Sequence, residues 1–179
     1  GDVLEWQRPY QAHSMQVEEI YDRFGDRLYH YLTLKLASPS DAEDVLQEVF
    51  CRLIRYRVRL RFIREPAAFM FRIARNEAIR FIARKGRGRT SPISGEEIAG
   101  ALQHELTAPD PGLLSRVSVA LSRIPEKQRE VIILKFFEEL TFKEISSVCG
   151  ITLNTAASRY RYGIQKLRSL MEDSVEEPE

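Results

Sequence analysis

The stretch from Leu140 to Leu170, LTFKEISSVCGITLNTAASRYRYGIQKLRSL, decides how this chain folds. Thr141 followed three residues later by Glu144 is a capping-box pattern, in which each side chain satisfies the other's free backbone N–H at a helix start. Ile145, Val148 and Cys149 then line one side of a short helix. Gly150 ends it, since glycine enters the left-handed backbone of a helix exit at no steric cost. Thr152 is placed to cap a second helix, with Ala156, Tyr160, Ile164 and Leu167 on its inner face. Asn154, Thr155, Ser158, Arg159, Arg161 and Tyr162 fall on the opposite side. Two readings fit: a helix-turn-helix that presents its second helix to DNA, or an ordinary antiparallel helix pair. The side chains favour DNA. Thr152, Asn154, Thr155 and Ser158 are short polar groups near the helix start that can reach bases or phosphates, and Arg159 and Arg161 carry forked donors suited to guanine or phosphate.

Moving toward the N-terminus, Leu113, Leu114, Val117, Leu121 and Ile124 give one amphipathic helix. Pro125 opens another, with Val131, Ile132, Leu134 and one of Phe136 and Phe137 as its buried side. The segment Gly86 to Gly112 is rich in Gly, Pro, Ser and Thr at both ends, with a short helix predicted over Glu96 to Glu105. We read it as a linker between two helical domains.

The first domain is helical as well. Val17 to Lys35 carries Ile20, Phe24, Leu28, Tyr31 and Leu32 at helical spacing. Ser40 and Glu43 suggest a capping box for a helix reaching to about Tyr56, with Val45, Leu46, Val49, Phe50 and Leu53 inward. Its other side shows Asp41, Asp44, Gln47 and Glu48. After the irregular stretch Arg57 to Glu65, Pro66 fits the first turn of a helix running from Ala67 to Lys85, because its missing N–H is not needed there. Met70, Ile73, Ala74, Phe81 and Ile82 form its core stripe, and Arg72, Asn76, Arg80 and Arg84, with Arg75 beside them, a basic one. Alternation of the strand type is absent. The fold expected is all-α: an extension over residues 1–16, a helical domain over 17–85, the linker over 86–112, a second domain over 113–171 and an acidic tail over 172–179.

Composition narrows the function. Formal net charge is only +1 over 179 residues, yet between Arg52 and Arg89 a run of arginines is opposed by Glu65 and Glu77 alone. That asymmetry points to a polyanion on one surface, against the alternative of a solvated surface balanced by acid within the fold. The acidic stretches Glu96 to Glu105 and Glu172 to Glu179 are candidates to cover that basic surface in cis. Cys51 and Cys149 show no metal-ligand spacing and read as small core residues of a reducing compartment. His13, His30 and His104 are scattered, and no phosphate-binding glycine loop or nucleophile–base pair is present, so no catalysis, metal or cofactor is expected. No membrane span or export signal is expected either.

Three stretches in order, DAEDVLQEVFCRLIR, FMFRIARNEAIRFIARK and IPEKQREVIILKFFEELTFKEISSVCGITLNTAASRYRYGIQKLRSL, resemble the extracytoplasmic-function group of bacterial RNA polymerase sigma factors. The resemblance implies that 17–85 is sigma region two and 113–171 region four, with core RNA polymerase, promoter DNA and an anti-sigma factor or other regulator as partners, in the bacterial cytoplasm. It further implies that the Asp41 to Tyr56 helix docks on the clamp of the largest polymerase subunit, with Asp41, Asp44, Gln47 and Glu48 as the docking residues. The minus-ten element would be opened and read by Arg61, Phe62 and Arg64 in the Leu60 to Pro66 loop and by Arg72, Arg75, Asn76 and Arg80. The minus-thirty-five element would be read by Thr152, Asn154, Thr155, Ser158, Arg159 and Arg161. Two departures stand out: Phe69 and Phe71 where the family usually has Trp and Tyr, and Ala157 where many members carry a basic residue. Without the resemblance, a dimeric helix-turn-helix regulator of duplex DNA remains the alternative, and a protein-binding adaptor a third.

Overall fold

The computed structural model describes residues 17–60, 62–85, 93–103 and 110–173, leaving aside the side chains of 57–60. Among the described residues there is helix and no strand. α1 is Val17–Leu36, α2 Pro39–Leu60 and α3 Pro66–Arg84; α4 is Gly95–Leu102 and α5 Pro111–Ser122; α6 is Glu126–Ile132, followed by a π-turn over Ile133–Phe137; α7 is Phe142–Cys149 and α8 Leu153–Asp173.

The first three helices form a bundle in which α1 touches both α2 and α3. Ile20, Phe24, Leu28, Tyr31 and Leu32 of α1 are all buried, as their spacing predicts. Where α1 ends, Ala37 takes a left-handed φ of 53° and its N–H reaches the Thr33 carbonyl at 2.9 Å, the exit that glycine usually makes. The next helix starts earlier than expected. Pro39 supplies its first residue and Ser38, not Ser40, its cap: the Asp41 N–H donates to Ser38 Oγ at 3.2 Å. Proline at the first helical position lacks only a hydrogen bond that no residue there can make, so the start moves to its predecessor. Cys51 is exposed, contrary to its expected core role, and Ile82 is 46% exposed, since the α1 face of α3 is taken by Met70, Phe71, Ala74 and Ala78. Leu46, Phe50, Ile73 and Phe81 are half-buried at the edge of this core.

The second half packs α5 and α6 against α8, and α7 across both α8 and α3. Asp110 caps α5, accepting from the Gly112 N–H at 2.8 Å. Buried Arg129 donates to the Leu121, Ser122 and Ile124 carbonyls at 3.3–3.4 Å, a cation on the negative end of α5. Leu113 is largely exposed and Val117 half-buried, while Leu114, Leu121 and Ile124 are buried. Of the phenylalanine pair, Phe137 turns inward and Phe136 is 62% exposed. Inside the segment expected as a linker, α4 is capped by Ser94 and Glu97 and buries Ile98, Ala101 and Leu102 against α5 and α1. The core is continuous across both halves.

Candidate nucleic-acid interface

The α7–α8 pair is built by local hydrogen bonds. Thr141 Oγ1 accepts from the Glu144 N–H at 3.1 Å, and Glu144 Oε2 accepts from the Thr141 N–H at 2.7 Å. Gly150, at φ 65°, turns the chain, and Ile151 N–H closes onto the Ser146 carbonyl at 3.1 Å. Thr152 Oγ1 accepts from the Thr155 N–H at 3.1 Å and lies 2.8 Å from the Thr155 hydroxyl. These two hydroxyls therefore serve the helix start first. α8 is seated by Ala156 and Gly163. A Cβ added at Gly163 would stand 2.8 Å from Ile132 Cδ1, so this glycine sets how closely α8 approaches α6. Asn154, Arg161 and Tyr162 are exposed, and Ser158 and Arg159 are half-exposed beside them.

The second basic surface is the row Arg72, Asn76, Arg80 and Arg84 along α3, all exposed. Arg80 Nη1 donates to Glu77 Oε1 at 2.8 Å; Glu77 is buried and also pairs with Arg52, which ties α2 to α3. Phe62 is 76% exposed and Arg64 exposed next to it. Arg61 lies outside the described residues. Phe71 is fully buried, edge-on to Tyr31 at 5.5 Å. Arg75, expected on the DNA side, turns the other way: its Nε lies 3.0 Å from Glu130 Oε1 of α6. One helical turn back, Arg72 Nη1 reaches Ser147 Oγ of α7 at 3.5 Å.

On α2, Asp44, Gln47 and Glu48 form an exposed acidic–amide row. Asp41 does not belong to it. It is buried, and both carboxylate oxygens accept from Lys85 Nζ at 2.8 and 2.9 Å, because the end of α3 arrives there.

Two acids that the sequence does not single out, Glu130 and Glu138, meet the first helix bundle. Glu130 Oε1 accepts from Tyr31 Oη at 2.8 Å, from Lys35 Nζ at 2.9 Å and from Arg75 Nε at 3.0 Å. Burial alone raises its carboxyl, but Lys35, Arg75 and the Tyr31 hydroxyl outweigh that and hold it below the ordinary 4.5. Burial, and then the charge of Glu130, holds the Tyr31 phenol well above its usual range. Glu138 Oε2 accepts from Arg27 Nε at 3.1 Å, and its backbone carbonyl accepts from Arg27 Nη2 at 2.6 Å; Oε1 lies 3.3 Å from His30 Nδ1. The π-turn places it there. Its wide hydrogen bond, Glu138 N–H to the Ile133 carbonyl at 3.2 Å, and the left-handed Glu139 at φ 55° leave Glu138 pointing inward.

The description of sigma-70 region 2 matches residues 20–88, and that of sigma-70 region 4 matches residues 114–167. The chain belongs to the sigma-70 family. Within that family it is an alternative sigma factor of the extracytoplasmic-function group. It is 30% identical to the RNA polymerase sigma factor SigZ of Bacillus subtilis over 162 residues, 88% of each chain. It is 26% identical to the sigma factor SigW of the same organism over 168 residues, covering 87% of this chain and 88% of SigW. The solved structure of CnrH in complex with the cytosolic domain of CnrY shares the fold, at TM-score 0.60 and 23% identity over 91% of this chain and 94% of that one.

In this sigma factor α2 and α3 fall within the region 2 match and α1 across its start, α5 to α8 within or across the region 4 match, with α4 between them. Glu130 and Glu138 thus join region four to region two. Among the described residues no helix is long and apolar enough to cross a membrane, and no group of three His, Cys, Asp or Glu side chains is arranged to hold a metal ion.

Proposed function

We propose that this sigma factor binds core RNA polymerase through Asp44, Gln47 and Glu48 and reads a promoter with two separate faces. Region two is taken as 17–85 and region four as 113–171. Phe62, Arg64, Arg72, Asn76 and Arg80 meet the minus-ten element: an exposed aromatic can stack on an unpaired base while the arginines neutralise the strand's phosphates. Asn154, Ser158, Arg159 and Arg161 meet the minus-thirty-five element, with Thr152 and Thr155 fixing the start of the helix that carries them. Strand opening draws on binding energy and no bond is made or broken by this chain, which acts in the bacterial cytoplasm. A protein regulator of the anti-sigma kind is its expected controller. Ala157 removes a basic group that many relatives have at that place, so promoter preference follows from this chain's own side chains.

The observation that carries the reading is the exposure, on one chain, of an acidic–amide row on α2, a basic row on α3 and a capped, polar-faced α8. The test is transcription by purified bacterial core polymerase on genomic fragments, with the protein added or withheld. Discrete start sites that need the protein are expected, and are lost when Asp44 or Gln47 is replaced by Ala in a folded chain. Failure to bind or redirect core polymerase, with tight binding of duplex DNA by a dimer of this protein alone, overturns it in favour of a dimeric regulator.

A further inference from the structure

Glu77 lies on the inward side of α3 with Ala74 and Ala78, and is only 3% exposed. One of its oxygens, Oε1, accepts from Arg80 Nη1 at 2.8 Å and pairs with Arg52 Nε of α2. Two guanidinium groups, from two helices, therefore converge on a single oxygen atom. A tie between α2 and α3 needs only one of them. With both in place, two cations stand against one anion, and one positive charge is left in excess at the seam. Holding the second cation beside the first costs electrostatic energy, which an anion arriving from outside would offset. Both side chains reach the surface: that of Arg80 is 53% exposed and that of Arg52 33%. They emerge where the exposed row of Arg72, Asn76 and Arg84 runs along α3.

We propose that Arg52 is a further DNA-binding residue, and that Arg52 and Arg80 together clamp one backbone phosphate of the unpaired promoter strand, with Glu77 as the positioning residue beneath them. The inference rests on the sigma reading above. A guanidinium carries five N–H donors in a rigid fork, and Glu77 engages one nitrogen of each arginine, so donors remain on both for an anion at the surface. Phosphate oxygens suit two such forks, since charge-assisted bonds from planar donors are the strong ones. Lysine is no equivalent at either place. Its compact ammonium is a point charge and lacks the flat fork that serves an acid on one side and a phosphate on the other. A phosphate contact carries no sequence information and fixes where the strand lies. Arg52 thus holds the strand in place against α3, while Phe62 and Asn76 face its bases. Glu77 touches no DNA. Buried and fixed on α3, it aims an arginine of α2 toward the row that α3 presents.

The experiment uses holoenzyme, assembled from purified core polymerase and the full chain. The probe is a promoter fragment recovered from one of its start sites, with the minus-ten element left unpaired. Affinity is measured between about 50 and 200 mM salt, where each single-strand phosphate neutralised adds about 0.7 to the slope of log affinity against log salt. Arg52→Gln and Arg80→Gln are each expected to weaken binding about fivefold and to lower that slope by about 0.7. The double variant is expected to lower the slope no further than either single one, because both arms hold the same phosphate. Glu77→Gln is expected to weaken binding about twofold, the opposite of what its added positive charge alone would do. If Arg52→Gln does not fold, Arg52→Lys carries the test: it keeps the charge and is expected to bind about twofold more weakly, for want of the fork. Binding by the Arg52 variant equal to wild type, a slope that falls twice as far in the double variant, or Glu77→Gln binding as tightly as wild type overturns the clamp. A wild-type chain that never binds or redirects core polymerase overturns the sigma reading instead, so the two failures are told apart.

Discussion

Arg75 and Glu130, 55 positions apart in sequence, lie 3.0 Å apart, and their contact turns one arginine of a basic helix away from solvent and toward the other domain. Removing one partner of a buried ion pair leaves the other charged and unsatisfied. Glu130→Ala strands Tyr31, Lys35 and Arg75 together and is expected to destabilise the folded protein by about 3 kcal/mol. Arg75→Ala is milder, since Lys35 and Tyr31 still serve the carboxylate. Denaturant titration of the two single variants and the double checks this, and a coupling energy of about 1 kcal/mol or more is the expected signature of direct contact.

The same carboxylate sets an acid limit. Its folded value is depressed below the ordinary 4.5, so its contribution is fully present above that pH and is lost as pH falls through the folded value. The groups that face it are Tyr31 and Lys35 from α1, Arg75 from α3 and Cys149 from α7. The part of the interdomain contact that Glu130 makes is therefore expected to be fully present above 4.5 and to be lost only below it. Tyr31 acts at the other end: its raised value means stability complete below its usual 10.0 and lost as pH rises beyond it. Denaturant titration against pH tests both limits, and the acid loss should shrink in Glu130→Gln.

Asp41 and Asp44 are three residues apart and part company in the structure. Asp44→Ala is expected to weaken core-polymerase binding at least tenfold with thermal stability unchanged. Asp41→Ala is expected to do the reverse, losing the Lys85 pair. Lys85 stands half in water, so that loss is about 1 kcal/mol. Binding and melting measured on both variants separate the two roles; equal effects on polymerase binding would refute the division.

The two thiols should differ as sharply. Cys51 is exposed, whereas burial and then the Glu130 charge push the Cys149 thiol up to about 11. Since the thiolate is the reactive form, a maleimide or iodoacetamide at pH 7.5 is expected to modify Cys51 within minutes and Cys149 only after unfolding. Mass spectrometry of the timed reaction decides it.

Much of this was readable one residue at a time. The Thr141–Glu144 box, the Gly150 turn and the Thr152 cap involve partners at most a few positions apart, and each stands as the pattern predicts. The apolar stripes of α1 and α8 were equally plain, because a helix repeats its inward face every 3.6 residues whatever lies beyond it. Even the misplaced cap at Ser40 was a local error, corrected by taking Pro39 as the first helical residue.

Other residues looked alike in sequence and differ in the fold. Arg72 and Arg75 belong to one basic stripe, and only the arrival of α6 and α7 against α3 assigns Arg75 to Glu130. Glu130 and Glu138, in EKQREVIILKFFEEL, read as ordinary charges on an amphipathic stretch. Cys51 sits among apolar neighbours and still faces out, since Val49 and Leu53 already fill the inward positions of α2.

The sequence by itself determined most of what is local here: which segments are helices, where most of their caps fall, and which chemistry each outer face carries. The tertiary structure alone decided which of those faces meet. Tyr31 to Glu130 and Arg27 to Glu138 close separations of 99 and 111 residues. A pairing across such a distance is fixed by how whole helices pack and by where the π-turn aims one carboxylate, and no repeat or cap in the chain encodes it, because the geometry exists only once the two halves have come together.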